Sequence, residues 1–378
     1  MKLYWFILIW VSMWGILSSL YTRRVSIKTI DNGELVENRT NIVFVIAIFS
    51  AIILLTGLRS GVADTTAYIE MFNSYPTTMV EAIEVITDEN AREPGFRLLS
   101  ILFKSFISQD YHVWLFTIAL ITGTCIMIPL YKYSCNFGIS AFLFIASCQF
   151  TWMLNGMRQF LVASVMFAFT HFILEKKTTP YIMVVLLLST IHISLLIMIP
   201  VYFIVRDDPW QKKNILFMVL IILAMIFADR FTNVLTEVVE DTNYSTSVNE
   251  FKDADDGTNS IRILVEAVPT IIAFIYRKKI KEKATPIINI SINMSMVATG
   301  LYIISKIARS GVLLGRLPIY FSLYNLILLP WLLENVFEKN EKRLIIFSMI
   351  VCYVFFFYYQ MDVIWGIGYV SDILHMEY

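Results

Sequence analysis

Asn155-Gly156-Met157-Arg158-Gln159 joins two short apolar runs and puts a guanidinium in the first turn of the helix that follows. A helix N-terminus already favours anions, and a guanidinium adds a fork of donors matched to two phosphate oxygens. The segment reads as a seat for a phosphate or diphosphate, with Gln159 beside it. The plain alternative is an arginine snorkelling from an apolar helix to the membrane interface. Three more arginines have related settings. Arg59 follows Thr56-Gly57-Leu58 at the end of an apolar run, and Arg309 and Arg316 flank Ser310-Gly311 and Gly315 just before Leu317-Pro318. Pro318 suits a helix start, which would bring Arg316 to another helix N-terminus. Each alone is an interfacial anchor; together on one side they would make an anion-binding cavity.

Groups able to move a proton come next. His192 lies in Ser189-Thr190-Ile191-His192, inside the apolar segment 181–205. It is either a satisfied structural residue or a general base or phosphate donor, since His alone titrates near neutrality unperturbed. His112 and His171 sit in or at the start of plain apolar runs. Asp64, Tyr68 and Phe72 share one helical face at i, i+4, i+8. Glu93-Pro94-Gly95-Phe96 then precedes an amphipathic stretch, 97–107, of a kind that lies along a membrane surface. Asp64 and Glu93 are candidate acid/base or sugar-binding carboxylates. No metal set is visible: Cys125, Cys135, Cys148 and Cys352 form no Cys-x-x-Cys, the histidines form no His-Glu-x-x-His, and Asp253, Asp255 and Asp256 lack calcium-loop spacing. With no Gly-rich phosphate loop or Gly-x-Ser-x-Gly elbow either, no metal or other cofactor is expected.

The elements that must position these groups are membrane helices. The chain is 57% hydrophobic and 16% charged, whereas a soluble domain carries about 25% charge. Apolar runs near the length needed to cross a bilayer, about 20 residues, cover 3–20, 42–58, 113–130, 141–154, 160–174, 215–228, 261–276, 288–307, 317–337 and 344–359. The first lacks a small-x-small cleavage site and is followed by Arg23-Arg24, so it reads as a retained span. Short basic loops mark the inner side: Arg23, Arg24, Lys28 and Arg39; Lys132; Lys176 and Lys177; Arg277 to Lys283; Lys339, Lys342 and Arg343. The acidic segments 60–111 and 229–260 then lie outside. This bookkeeping works only if 181–205 enters from the inside, turns near His192 and returns. The expectation is an all-α polytopic bundle in a single transmembrane domain over 1–378, with about ten crossings and one broken or re-entrant helix pair.

Arg59, Asp64 and Tyr68, then Glu93-Pro94-Gly95-Phe96, Asn155-Gly156-Met157-Arg158-Gln159, His192-Ile193-Ser194 and Pro200 resemble, in order and spacing, the EpsG family of bacterial exopolysaccharide and capsule synthesis, similar to Wzy-type O-antigen polymerases. The resemblance covers residues 42–202; beyond 229 only the Arg309 and Arg316 region suggests a counterpart. It implies a Wzy-like, GT-C-like membrane glycosyltransferase that polymerises undecaprenyl-diphosphate-linked repeat units at the outer face of the cytoplasmic membrane. Arg158 and Arg316 would bind the donor diphosphate, with Arg59 and Arg309 next. His192 or Glu93 would act as base, and Asp64, Tyr68 and Gln159 would contact substrate. Implied partners are lipid-linked donor and acceptor, membrane lipid, a chain-length regulator and a flippase, with no nucleic acid.

Rival readings are a flippase for the same lipids, an O-acetyltransferase and a glycan ligase. No internal repeat between the halves supports a transporter, and no inner-face histidine signature supports an O-acetyltransferase. A ligase would use nearly the same chemistry as a polymerase.

Overall fold

The computed structural model describes residues 1–28, 34–77, 93–226, 257–311 and 314–377; Asp253, Asp255 and Asp256 lie outside them. Helices dominate: α1 Lys2–Leu20, α2 Ile42–Gly57, α3 Thr65–Ser74, α4 Pro94–Phe106, α5 Tyr111–Tyr133, α6 Phe137–Ala146, α7 Met157–Ala168, α8 Thr170–Leu174, α9 Thr178–Ser189, α10 Met198–Val205, α11 Lys212–Ile226, α12 Ser260–Ile275, α13 Arg277–Lys281, α14 Pro286–Ile307, α15 Ile319–Ser322, α16 Asn325–Asn335 and α17 Lys339–Tyr358. Two small antiparallel hairpins pair β1 Thr22–Lys28 with β2 Glu34–Thr40, and β3 Val370–Ser371 with β4 Met376–Glu377.

Among the described residues, α1, α5, α14 and the helix continuing from α17 to Trp365 are long and apolar enough to cross a membrane. The pair Leu314–Ser322 and Asn325–Asn335, bent by 53° at its break, makes a fifth if it is one broken span rather than a re-entrant loop. The expected count of about ten is therefore not reached by full-length helices. Several apolar runs that look continuous in sequence are interrupted. Run 141–154 becomes α6 and a 3-10 turn, Gln149–Met153, separated at Cys148, whose φ is 61°. Run 160–174 divides into α7 and α8, and run 317–337 breaks between α15 and α16.

The chain forms two compact units. The first comprises Met1–Phe172, Lys177–Leu196 and Lys339–Tyr378. In it α1 packs on α2 and α6, α5 on α2 and α7, and α17 on α6. Tyr4, Ile7, Leu8 and Val11 form the buried face of α1, while Phe6, Ile9, Met13 and Ile16 look outward. An apolar outer face is what a helix shows to lipid. After α17 the chain returns to the end of α2, where Tyr369 Oη donates to Leu55 O at 2.8 Å and Ser60 N to Val370 O at 2.9 Å.

The second unit comprises Ile173–Lys176 and Ile197–Glu338 and is built around α14, which packs on α11, α12, α15 and α16. α14 carries a row of buried polar residues that bind neighbours rather than lipid. Ser295 Oγ and Thr299 Oγ1 meet Thr270 Oγ1 at 2.8 and 3.2 Å, and Asn293 Nδ2 donates to Asp207 O at 2.7 Å.

Lys176, Lys213 and Lys283 gather near the N-terminal end of α14. Asn289 Nδ2 donates to Asp208 at 2.9 Å, Asp207 pairs with Lys213 and with Lys176 at 3.7 Å, and Lys283 Nζ donates to Asn335 O at 3.3 Å. Because Lys176 and Asp207 bracket the apolar segment 178–205 and still pair, the chain comes back to the end it left. Within that segment α9 stops at Ser189, and a 3-10 turn, Ile193–Ile197, leads into α10. Cysteines replacing Lys213 and Lys279 are therefore expected to react with an impermeant reagent from the same face of the membrane. Labelling from opposite faces would overturn this arrangement.

Candidate functional site

The site is assembled inside the first unit, where one helix end supplies what another lacks. α9 ends at Ser189, which frees the carbonyl of Thr190 to accept from Gly95 N at 2.9 Å. Gly95 stands in the first turn of α4, whose leading N–H groups have no intrahelical partner. The approach is close enough that a Cβ at Gly95 would lie 2.8 Å from Thr190 Cβ and 2.9 Å from its carbonyl carbon. Pro94 opens α4, and Glu93 caps it with left-handed backbone, φ 56° and ψ 61°. That conformation costs a non-glycine residue about 1–3 kcal/mol. Ala63 and Gly156, with φ 51° and 75°, are left-handed in the segments beside it.

The docking of α4 on Thr190 brings Glu93 to His192. Glu93 Oε1 lies 3.5 Å from His192 Nε2, and Glu93 Oε2 lies 2.5 Å from Arg158 Nη1. The carboxylate is 8% exposed and the arginine 33%, so the carboxylate is buried while the guanidinium keeps some access. Behind the imidazole, Gln159 Nε2 donates to Ser194 Oγ at 3.2 Å, and Ser194 Oγ meets His192 Nδ1 at 2.8 Å. With Ser194 accepting from Gln159, its own proton goes to Nδ1. The imidazole proton then sits on Nε2 and faces Glu93. Donors from both sides thus converge on one carboxylate.

Arg158 is also held by aromatic faces. Its guanidinium carbon lies 5.5 Å from the centroid of Tyr68 and 5.8 Å from that of Phe96, distances that suit cation–π attraction. The Tyr68 hydroxyl hydrogen-bonds the same side chain, and burial pushes that hydroxyl upward, so it stays protonated. Arg158 Nε is buried with no hydrogen-bond partner. A buried donor in that state is a place for an acceptor to bind.

Asp64 and Arg59 build the wall behind this cluster. Asp64 Oδ2 accepts from Gly156 N at 2.9 Å, placing a carboxylate at the N-terminus of α7, the helix that carries Arg158. Arg59 is 1% exposed; its Nε donates to Thr65 Oγ1 at 2.9 Å, its Nη2 meets Met157 Sδ at 3.2 Å, and its Nη1 donates to Thr56 O. Burial lowers this guanidinium to about 10, against the pull of Asp64, which leaves it charged at neutral pH. It ties the end of α2 to the starts of α3 and α7.

Arg309 and Arg316 belong to the second unit. Arg309 is exposed with φ 45°, and Arg316 ends the 3-10 turn Leu314–Arg316, ahead of Pro318, the cap of α15. Two features escape a sequence reading. The docking of Gly95 on Thr190 has only the glycine itself as a signal. In the second unit, Glu266 is 3% exposed within α12 and accepts from Asn325 Nδ2 at 2.9 Å; a carboxylate inside an apolar run was the signal there. Among the described residues no three His, Cys, Asp or Glu side chains are grouped to hold a metal ion.

Long helices with apolar outer faces around a buried charged cluster define a multi-pass membrane protein. The chain belongs to the EpsG family, whose model matches residues 41–365, most of its length. No curated protein and no solved structure matches it.

Proposed function

We propose that this protein is a metal-independent glycosyltransferase that polymerises undecaprenyl-diphosphate-linked oligosaccharides at the outer face of the bacterial cytoplasmic membrane. Membership of the EpsG family is consistent with a polysaccharide polymerase. The observation that carries the reading is the convergence of Arg158 and His192 on Glu93.

In the proposed reaction the acceptor hydroxyl attacks the anomeric carbon of the donor sugar. A new glycosidic C–O bond forms as the C–O bond to the diphosphate breaks. Arg158 stabilises the charge gathering on the leaving lipid diphosphate, and Glu93 takes the acceptor proton. His192, oriented by Ser194 and Gln159, donates to Glu93 and fixes its direction. Tyr68 and Phe96 hold the guanidinium level. Asp64 and Arg59 act as positioning residues through α7, and Arg309 and Arg316 stay candidates for a further diphosphate contact. Capsule, exopolysaccharide or O-antigen would be the product, with a flippase and a chain-length regulator as partners.

Reconstitution with purified lipid-linked repeat units tests this. Ladders of lengthening glycan are expected; movement of lipid across the bilayer without growth would instead make the protein a flippase. Gly95→Ala is expected to lower ladder synthesis about 10²-fold, the cost of a displacement near 1 Å at a reacting group. Thr190→Gly should restore it only in part, because the Thr190 carbonyl carbon would still crowd the new methyl. Full activity of Gly95→Ala would show that this docking does not set the position of Glu93.

A further inference from the structure

At the basic end of the second unit lies a cavity of about 400 Å³ lined by Lys176, Arg206, Asp207, Asp208, Gln211 and Asn289. None of its lining residues belongs to the Glu93 cluster, and nothing in the proposed transfer uses them. Its two carboxylates are engaged. Asp207 pairs with Lys213 and, at 3.7 Å, with Lys176, and Asp208 accepts from Asn289. Lys213 holds Asp207 well below the usual carboxylate range, with burial opposing and Lys176 and Arg206 assisting. Asp207 therefore stays ionised at neutral pH, and both acids already have partners.

Arg206 differs from its neighbours. Its guanidinium carbon lies 5.5 and 5.1 Å from the Tyr202 and Phe203 centroids, so the side chain is pre-oriented over two rings. It makes no ion pair with a carboxylate within 4 Å among the described residues. Its planar fork suits two oxygens of one phosphorus. Lys176, only loosely held by Asp207, borders the same space, as does the first turn of α14, whose cap Thr285 makes no side-chain bond to the helix. Lys213 satisfies Asp207, which leaves Arg206 and Lys176 as the charges available to a ligand. A phosphate group, carrying about −1.5 to −2 as a monoester, matches those two better than a single carboxylate would.

We propose that this cavity is a binding site for a phosphate group, presented on the cytoplasmic side by an anionic phospholipid headgroup or by a soluble phosphate. The side follows from the excess of Lys and Arg at this end. Arg206 and Lys176 bracket segment 178–205, the stretch that carries His192 and Ser194. A bound phosphate bridging them fastens the two ends of that segment together.

The test uses the full chain in nanodiscs of phosphatidylcholine alone, with thermal unfolding followed as inorganic phosphate is added against chloride at equal ionic strength. A second set of nanodiscs contains phosphatidylglycerol. A ligand that binds only the folded state raises the midpoint. A rise with inorganic phosphate assigns the site to soluble phosphates, and a rise with phosphatidylglycerol alone assigns it to the headgroup. In either case Arg206→Gln is expected to need about tenfold to a hundredfold more ligand for the same rise, the loss of a charge-assisted bond. Lys176→Gln provides the same comparison should Arg206→Gln fail to fold. No rise in the native chain with either source, or an unchanged response in both variants, would overturn the proposal. The readout is binding alone, so its failure leaves the transferase reading intact.

Discussion

Purified protein carrying Glu93→Gln is expected to transfer glycan about 10²–10⁴-fold more slowly than the native chain, the range for removal of a general base. Glutamine keeps the shape of the side chain and an oxygen to accept from Arg158 or His192, but it cannot take a proton at neutral pH. The apparent KM for the donor should not rise, because Arg158 is freed from its carboxylate partner and still faces the diphosphate. The loss therefore belongs in kcat. His192→Ala is expected to cost less, since it removes the group that orients Glu93 and not the proton acceptor itself. Steady-state rates with purified lipid-linked donor and acceptor separate these outcomes. A deeper loss in His192→Ala than in Glu93→Gln would exchange the two roles. Unchanged kcat in Glu93→Gln would remove Glu93 from the chemistry.

The residues of this cluster were legible in the sequence one at a time. Arg158 announced itself as a cation opening a helix, Glu93 by the Pro-Gly that follows it, and His192 by its place in a run that the charge pattern requires to turn back. What could not be read was their contact, because it depends on a backbone carbonyl at Thr190 meeting an N–H at Gly95. Backbone bonds of that kind leave no side-chain pattern. Arg59 shows the opposite difficulty. At the end of an apolar run it reads as a cation facing out, yet it is buried and bonded to Thr56, Thr65 and Met157. Its partners are two polar residues and a thioether, none of which signals a pairing in sequence. The same limit explains the helices. Hydropathy measures how long a run is apolar, not whether it is continuous, so the left-handed Cys148 and the break before Asn325 were invisible.

Arg158→Lys tests the other half of the proposed reaction. Lysine keeps the charge but brings a single, strongly hydrated ammonium in place of a planar fork. The native side chain pairs with Glu93 through Nη1 and lies over Tyr68 and Phe96, while its buried Nε has no hydrogen-bond partner. An ammonium drawn to Glu93 cannot also meet two oxygens of a diphosphate, and it loses the flat contact with the rings. Transfer is expected to fall about 10²–10³-fold, as when one preorganised donor to a developing anion is removed. Unlike Glu93→Gln, this variant should also raise the apparent KM for the donor, because the lost contact is made in the ground state as well. Membrane insertion and the thermal midpoint should change little, since the charge at the start of α7 and its pairing with Glu93 persist. Near-native ladders from a correctly inserted Arg158→Lys protein would take Arg158 out of the diphosphate site and return it to an interfacial anchor.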